Sequence, residues 1–504
     1  MAASVGSALN WWARTTGEEA ALIVAEDRLT YRELHDWSSR LARRLSEDGV
    51  KPGDRVGLLS ANALAWPVAA LAIMKSGAVL VPLNARLKPA EIRKIADDAG
   101  LSLILAGKAH VAAAQDARPG GHEFEVLDLD IVEVERNGEP DDFKIDRDPD
   151  DAIAVIFTSG STGLSKGVIL TNAGLLSIVL ENTLTQDGFR PGTVTLLVLP
   201  LAFTPGLVYG LLMTTVLGGT LIVEPELNPS RAVVLIERHS VRALFGVPLI
   251  FEAMSKAPEF AEANLSSLQT AIVGGAAVPV ELLGRWADKG VLLRQIYGMT
   301  EAGGVATATL RHEALGHPGS CGIGSIFTDV RVMGEDGDLR GPGEQGEIVV
   351  RGPLVTPGYW NDPMSTAQAI RDGWLHSGDL GVADESGRIT FVDRMKDLII
   401  SGGINISPVE LESAIGTLDG VEEVAVIAAS DARFGETPAA IITGTVTSQE
   451  VVIAHCETLL SDYKIPRYVV LRDQPLPRLP SGKLDKRAIR SEYHDVAERF
   501  PRAR

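Results

Sequence analysis

Cysteine, excess positive charge and uninterrupted apolar runs are all scarce in this chain of 504 residues. Its two cysteines, Cys321 and Cys456, are far apart in sequence. The sequence therefore predicts neither a disulfide framework nor a cysteine-based metal cluster, and a cytoplasmic location is expected. The formal net charge of −19 argues against nucleic acid or an anionic membrane surface as a general partner.

The apolar stretches at 68–83 and 211–223 are interrupted by Lys75 and by threonine and glycine residues. Neither offers the roughly 20 clean apolar residues that a spanning helix needs, so no integral membrane segment is predicted. The N-terminus lacks the basic and apolar regions of a signal peptide. The apolar fraction of 45% is typical of a soluble globular protein, and the length predicts two or more domains.

Helical and strand patterns alternate through the first 300 residues, which indicates an α/β fold. One predicted helix carries its apolar stripe on Leu34, Trp37, Leu41 and Leu45. Beyond about residue 319, short β segments between glycine and proline turns predict a small β-barrel or β-rich subdomain. The acidic segment 136–151 is interpreted as a solvated connection. Strands are predicted at 56–59, 79–83, 194–199, 220–223, 242–245, 270–274 and 293–296.

A charged joint at 394–397 precedes a compact α+β segment. Its predicted order is strand 398–401, helix 408–417, strand 424–429, helix 450–460 and strand 468–471. We therefore predict an α/β protein with a large N-terminal domain at 1–393, made of α/β subdomains and the β-barrel-like subdomain. A hinge at 394–397 and a small α+β C-terminal domain at 398–504 complete the predicted architecture.

The segment Thr158–Gly167 consists almost entirely of glycine, hydroxyl residues and one lysine, and it lies between the apolar runs 154–157 and 168–170. Glycine lets the backbone approach an anion closely, while hydroxyls, N–H groups and a lysine attract it. This chemistry suits a phosphate cradle, although a polar hairpin linker would have a similar composition. It is not a Walker A loop, because Lys166 is followed by Gly167 and a second strand.

Four more segments follow in order: Tyr297–Glu301, Trp374–Asp379, Asp393–Gly403 and Leu479–Lys483. Together with the glycine-rich loop they resemble the adenylate-forming superfamily, and most closely its acyl-CoA synthetase branch. This resemblance implies that a carboxylate and ATP form an acyl-adenylate and pyrophosphate, after which CoA displaces AMP. It also implies Mg²⁺ as cofactor and a mobile C-terminal domain that rotates between the two steps.

The resemblance assigns a role to each matched residue. Lys483 would offset the charge of the substrate carboxylate and α-phosphate, which Thr300 would contact. Glu301 would hold Mg²⁺, Tyr297 would stack on adenine and Asp379 would accept the ribose hydroxyls. The implied ATP- and AMP-binding residues are Thr158, Ser159, Gly160, Ser161, Thr162, Gly163, Lys166, Gly274, Gly275, Ala276, Ala277, Tyr297, Gly298, Met299, Asp379 and Arg394.

Plainer structural roles compete with these assignments. Thr300 and Glu301 also suit the first turn of a helix, and Gly274–Ala277 suits a tight turn after a strand. An aspartate after glycine is commonly a turn residue, as Asp379 would be, and Lys483 would otherwise be a surface charge. For the second step, the resemblance implies Lys396 at the hinge and a CoA site formed by Gly402, Gly403, Arg433, Phe434 and Lys464.

The sequence departs from the resembling family at one position of the predicted acyl pocket. Acyl-CoA synthetases commonly carry Phe-His where this chain has Phe203-Thr204. Replacing an aromatic ring by threonine should widen or reshape the pocket, which favours a bulky apolar acid that is aromatic, branched or polycyclic. The predicted pocket residues are Phe203, Thr204, Gly206, Leu207, Phe245, Val247 and Val305.

Two other functions stay open at this point. The chain could load its acyl group onto a carrier protein instead of CoA, or it could be a non-catalytic binding homologue. The second is disfavoured because Lys483 and Glu301 are both present. Amino-acid activation is also disfavoured, since Thr204 cannot pair with a substrate ammonium. A homodimer is possible, and the sequence does not decide it.

Overall fold

The computed structural model describes residues 3–118, 123–158, 166–401, 404–460, 462–479 and 482–504. The chain forms two compact units. The first comprises Met1–Val330 and Val349–His376, and the second comprises Arg331–Ile348 and Ser377–Arg504. Within the described ranges, no helix is both long enough and apolar enough to cross a membrane.

Helices of the first unit begin at clear sequence signals. Thr30 caps the helix Tyr31–Glu47 in a capping box with Glu33, and Thr171 caps Asn172–Thr185. The predicted stripe from Leu34 to Leu45 is buried. The α-helices are Val5–Thr15, Tyr31–Glu47, Ala65–Lys75, Pro89–Ala99, Val111–Asp116, Ile131–Val134, Asn172–Thr185, Met213–Val216, Pro229–Arg238, Pro248–Ser255, Val280–Ala287 and Pro363–Ala369. Shorter turns are the 3₁₀ segments Lys108–His110, Pro258–Ala261, Thr300–Ala302 and Arg311–Glu313, and Pro205–Leu212 is a π-helix.

Two mostly parallel sheets form the framework of the first unit. The six-stranded sheet is parallel except for its last strand, and the eight-stranded sheet is parallel except at its two edges. In spatial order the first consists of Glu125–Asp128, Leu101–Ala106, Arg55–Leu59, Val79–Leu83, Ala152–Thr158 and Lys166–Thr171. The second consists of Thr307–Ala308, Leu293–Tyr297, Thr270–Gly274, Ala243–Gly246, Val194–Leu197, Thr220–Val223, Ala20–Val24 and Asp27–Thr30.

The predicted β-rich segment is a five-stranded sheet. The boundary between the two compact units passes through three of its strands. In spatial order the path is Asp329–Met333, Gln345–Arg351, Trp374–Ala383 and Ile370–Arg371, and Ile389–Arg394 pairs with Trp374–Ala383.

The second unit contains a sheet with an apolar cluster on each face. The strand Gly435–Gly444 lies inside this sheet and pairs with both Val421–Asp431 and Tyr468–Arg472. This strand is not apparent from the sequence, because its glycine and proline residues resemble a turn. The spatial order of four strands is Ile404–Ile406, Ile399–Ser401, Gly435–Gly444 and Val421–Asp431, and the fifth, Tyr468–Arg472, pairs with Gly435–Gly444. The helices are Pro408–Gly416, Gln449–Leu459, Lys486–Glu492 and Val496–Arg499, with 3₁₀ turns Met395–Asp397 and Asp462–Lys464.

The acidic segment 136–151 contains no helix or strand and no buried residue, as expected of a solvated connection, and specific contacts also attach it to the first unit. Asp141 forms a bidentate pair with Arg43, at 2.7 and 2.8 Å. The Arg43 hydrogen bond keeps the pKa of Asp141 below its usual value. Ile145 donates its backbone N–H to the carbonyl of Lys75 over 2.7 Å. This segment therefore covers the end of the helix that carries Lys75.

Lys75 is a buried amine whose Nζ donates to the carbonyl of His35 and to Oγ of Ser39. Loss of hydration lowers its pKa from the ordinary 10.5 to about 7. Between those two values the unfolded chain holds a proton that the folded chain has lost, so this residue makes stability rise with pH. We expect Lys75→Met to reduce the increase of stability with pH. The difference in melting temperature, variant minus wild type, should therefore be highest near pH 7 and fall toward pH 10.

Melting temperatures measured between pH 6 and 10 test this. Lys94→Met is the control, because the Lys94 side chain is 41% exposed and a solvent-exposed ion pair such as the one it forms with Asp98 contributes little stability. Parallel pH curves for wild type and Lys75→Met would contradict the prediction.

Candidate active site

The carboxyl ends of four neighbouring parallel strands carry the residues predicted for adenine and the acyl group. These strands are Val194–Leu197, Ala243–Gly246, Thr270–Gly274 and Leu293–Tyr297. The ends of adjacent parallel strands meet at one edge of the sheet, where ligands bind in open α/β folds. The structure thus brings Gly274–Ala277, Tyr297–Glu301, Phe203–Leu207 and Phe245–Val247 to the same edge.

The predicted adenine site combines a tight turn at Gly274–Ala277 with a close approach between the backbones of Gly298 and Gly304. Gly274 ends its strand, Gly275 has φ +82°, and Ala276 and Ala277 are exposed. A Cβ on Gly298 would lie 2.0 Å from the carbonyl oxygen of Gly304, so only glycine fits there. Tyr297 is buried at the end of its strand, and Met299 immediately precedes the turn that contains Thr300 and Glu301.

The glycine-rich loop joins two antiparallel strands. Thr158 ends the first strand, Lys166 begins the second, and the two residues are paired across the hairpin. The predicted phosphate ligands Ser159, Gly160, Ser161, Thr162 and Gly163 lie outside the described residues. The hairpin ends are therefore the described part of the predicted phosphate cradle.

Glu301 is buried, at 8% exposure, in the turn Thr300–Ala302. Its Oε1 accepts a hydrogen bond from the hydroxyl of Tyr359 over 2.9 Å. The ammonium of Lys166 lies 4.8 Å from the centre of the same tyrosine ring. Tyr359 was not among the residues predicted from the sequence. Its local sequence, Pro357-Gly358-Tyr359-Trp360, indicates only a turn followed by two aromatic residues, and no local pattern connects it to Glu301.

Thr204 and Thr300 form a direct hydrogen bond between their hydroxyls, at 2.8 Å. Thr204 is buried, at 6% exposure. A Cβ built on Gly304 would lie 3.1 Å from the Thr204 methyl and 2.8 Å from the ring of Tyr209. The hydroxyl of Thr204 therefore contacts the predicted α-phosphate residue, and its methyl lies next to Gly304.

The remaining predicted pocket residues differ in burial. Phe245 is buried between Phe189 and Tyr209, with ring centroids at 5.6 and 4.9 Å. Gly206 and Leu207 are buried in the π-helix, whose irregular turn is common at functional sites. Phe203, Val247 and Val305 are partly buried. Thr204 and Thr300 also line a small pocket whose other walls are mainly aliphatic side chains, among them Ile156, Val168 and Leu354.

The second unit brings three predicted site residues together. Asp379 and Arg394 are paired across neighbouring strands, with Nε and Oδ1 3.5 Å apart. Lys483 follows Gly482, whose φ is +85°, in a turn where Leu479 donates its N–H to the carbonyl of Lys483. The pKa of Lys483 is lowered by loss of hydration and by the charge of Arg394, whereas Asp379 acts to raise it. The three charges therefore form one electrostatic cluster.

The predicted hinge is anchored on both sides. The buried carboxylate of Asp393 accepts hydrogen bonds from Ser407 at 2.6 Å and from the N–H of Val409 at 3.1 Å. Asp397 forms an ion pair with Arg490 at 2.7 Å. The side chain of Lys396 lies outside the described residues, and its backbone belongs to the 3₁₀ turn Met395–Asp397.

The predicted CoA residues are only partly described, because Gly402 and Gly403 lie outside the described ranges. The guanidinium groups of Arg433 and Arg467 lie 4.9 and 4.3 Å from the centre of the Phe434 ring. Arg467 was missed from the sequence, since it lies 33 residues further along the chain. Lys464 pairs with Glu410 at 2.6 Å, so its charge is compensated in this structure.

A divalent cation would have Glu301 as its protein ligand. Within the described ranges, no group of three or more His, Cys, Asp or Glu side chains is placed to hold a metal. Magnesium commonly takes only one or two protein carboxylates and completes its shell with phosphate oxygens and water. The carboxylate of Glu301, with Oε1 bonded to Tyr359, fits that requirement.

Comparison with known proteins gives consistent matches over nearly the whole chain. The family model described as AMP-binding enzyme matches residues 9–360, and the AMP-binding enzyme C-terminal domain matches 410–483. A feruloyl-CoA synthase from Amycolatopsis is 38% identical, covering 92% of this chain and 94% of its own. The long-chain-fatty-acid–CoA ligase FadD13 of Mycobacterium tuberculosis is 35% identical, covering 92% and 93%. The solved o-succinylbenzoate coenzyme A synthetase of Bacillus subtilis, in complex with ATP and magnesium ion, is 29% identical with TM-score 0.86, covering 95% and 98%.

Proposed function

Since the chain belongs to the AMP-binding enzyme family and is an ATP-dependent acyl-CoA synthetase, we propose that it activates a bulky apolar carboxylic acid. The predicted adenylate-forming family, the mixed α/β fold with a large N-terminal and a small C-terminal domain, and the CoA-ligase activity are confirmed. Carboxylic acid, ATP and CoA are its substrates and Mg²⁺ its metal. Carrier-protein loading is not favoured.

The first step would be catalysed by positioning and charge. The Lys483 ammonium offsets the repulsion between the carboxylate and the α-phosphate, and Thr300 donates its hydroxyl to that phosphate. Thr158 and Lys166 hold the β- and γ-phosphates with the rest of the loop. When bound at Glu301, Mg²⁺ supplies positive charge to the phosphate oxygens. Attack of the carboxylate on the α-phosphate then forms acyl-adenylate and releases pyrophosphate.

Asp379 and Arg394 recognise the nucleotide in this proposal. A carboxylate accepts both ribose hydroxyls, and the guanidinium of Arg394, beside Asp379 and partly exposed, can reach ribose or phosphate. For the second step, the 394–397 hinge turns the domain 398–504. The Arg433–Phe434–Arg467 group then offers an aromatic face and two cations to the CoA nucleotide.

The bulky-acid proposal rests on Thr204. It has a small side chain where acyl-CoA synthetases commonly carry histidine, its methyl packs at Gly304, and buried aromatic and aliphatic residues surround it. Apolar lining with few polar groups suits an acid whose body is hydrophobic. Two relatives are named for ring-containing acyl groups, a feruloyl-CoA synthase and a 7a-methyl-1,5-dioxo-octahydro-1H-inden-4-yl-propanoyl:CoA ligase, whereas FadD13 is named for long-chain fatty acids.

Release of AMP that depends on CoA, measured with aromatic, polycyclic and straight-chain acids, tests this proposal. We expect kcat/KM to be highest for the bulky acids. Thr204→Phe should lower that value about tenfold or more for bulky acids and much less for short linear ones, because an added ring overfills the pocket. Thr204→Val is the control, since it also lacks the hydroxyl but adds no ring. Turnover of short linear acids alone would refute the proposal.

Two further parts of the proposal concern the oligomeric state and the cellular location of the protein. A homodimer and a cytoplasmic location remain proposals that rest on the family resemblance and on the low cysteine content. Light scattering on the purified protein and fractionation of cells test them.

A further inference from the structure

Tyr359 joins two active-site residues that come from separate segments of the chain. Its hydroxyl donates to Oε1 of Glu301 at 2.9 Å, and its ring faces the ammonium of Lys166 at 4.8 Å. Glu301 is the magnesium carboxylate and Lys166 the phosphate-loop lysine of the proposed reaction. One side chain thus contacts both groups that would act on the same triphosphate.

The backbone on each side of Tyr359 is fixed to the same two segments. Trp360 donates its N–H to the carbonyl of Gly167 at 2.7 Å, next to Lys166. Thr356 donates its N–H to the carbonyl of Glu301 at 2.8 Å. Tyr359 itself pairs with Val168 through an isolated β-bridge. The segment 356–360 is therefore bonded to the strand that follows the phosphate loop and to the metal turn.

We propose that Tyr359 is a positioning residue that fixes the Glu301 carboxylate and the Lys166 ammonium relative to each other for the binding of magnesium-bound ATP. This inference rests on the proposed ATP site, but it does not depend on which acid is the substrate. The hydrogen bond engages Oε1 and restricts rotation of the carboxylate, which would leave Oε2 for the metal. The ring holds the lysine by a cation–π contact.

The phenol can keep this role across the working pH range. A phenol ordinarily loses its proton only near pH 10. The hydroxyl therefore remains protonated and donates to the carboxylate. A neutral phenol beside a buried carboxylate also satisfies one of its oxygens without adding a cation that would compete with the metal.

Two substitutions separate the contributions of the hydroxyl and the ring. Tyr359→Phe removes the hydrogen bond to Glu301 and keeps the ring under Lys166. Tyr359→Leu removes both. The control is Thr366→Val, because Oγ1 of Thr366 accepts the backbone N–H of Tyr359 at 2.9 Å but does not contact either active-site residue. That variant loosens the same segment and leaves the Tyr359 side chain unchanged.

Calorimetric titration of ATP without acid, once with Mg²⁺ and once with EDTA, measures the effect apart from catalysis. We expect Tyr359→Phe to weaken binding of magnesium-bound ATP about tenfold, a typical cost of losing one hydrogen bond to a charged group, and to leave metal-free ATP unchanged. Tyr359→Leu should weaken both. Thr366→Val should lower the melting temperature and leave both affinities unchanged.

A double-variant cycle provides a second check if Tyr359→Phe is less stable. In a Glu301→Gln background, Tyr359→Phe should have no further effect on the magnesium dependence of ATP binding, because the carboxylate it orients is already gone. Wild-type affinity in Tyr359→Phe would overturn the proposal, as would equal losses with and without metal, or the same loss in Thr366→Val. If wild-type protein binds no magnesium-bound ATP, the proposed nucleotide site itself is wrong.

Discussion

Lys483→Ala is expected to lower the rate of acid-dependent pyrophosphate release by about a hundred- to a thousandfold, the usual cost of losing one transition-state charge donor. The reaction brings two anions together, and the ammonium is the cation that would lie between them. Lys483→Arg should recover only part of the rate, since a planar guanidinium does not replace a compact point charge. Single-turnover measurements of pyrophosphate release give the rate of this step directly.

The two half-reactions give this prediction its control. When acyl-adenylate is supplied, thioester formation with CoA in Lys483→Ala should stay within about threefold of wild type, because an interaction made only in the first transition state does not affect the second. Arg487→Ala removes a nearby exposed cation and should change neither step. Equal losses in both half-reactions would contradict a role confined to adenylation.

Local signals in the sequence were enough to predict several elements of the first unit. The apolar stripe from Leu34 to Leu45 predicted a helix, and it lies in Tyr31–Glu47, which Thr30 caps. Strand runs such as 270–274 and 293–296 were predicted within a residue of their ends. Their order along a parallel sheet then places the predicted adenine and acyl residues at one edge, because loops after parallel strands meet there.

Contacts between distant segments could not be read from the sequence. Tyr359 reaches Glu301 across 58 residues, and Asp141 reaches Arg43 across 98. Neither pair shares a periodic pattern, so neither contact was predicted. The strand Gly435–Gly444 was missed for a different reason: pairing on both sides outweighs the weak strand preference of its glycine and proline.

The cluster of Asp379, Arg394 and Lys483 predicts opposite shifts in the pH dependence of adenylation. The rate at saturating substrates should fall as pH rises through the pKa of Lys483, because only the ammonium offsets the two anions. Asp379 raises that pKa and Arg394 lowers it. Asp379→Asn should therefore move the alkaline limb to lower pH, and Arg394→Gln should move it to higher pH. Each shift should be roughly one pH unit, the effect of a unit charge several ångströms away in a partly hydrated site.

Combining Asp379→Asn with Arg394→Gln in one protein tests whether these shifts are electrostatic. When both charges are removed, their opposing effects on Lys483 cancel, so the alkaline limb should return close to its wild-type position. Saturating ATP is needed, because Asp379→Asn also weakens ribose binding and would otherwise lower the rate at every pH. Added salt should reduce both single-variant shifts, since Arg394 is 54% exposed and its field is screened. Shifts in the same direction, or an unchanged limb in all three variants, would mean that the titrating group is not Lys483.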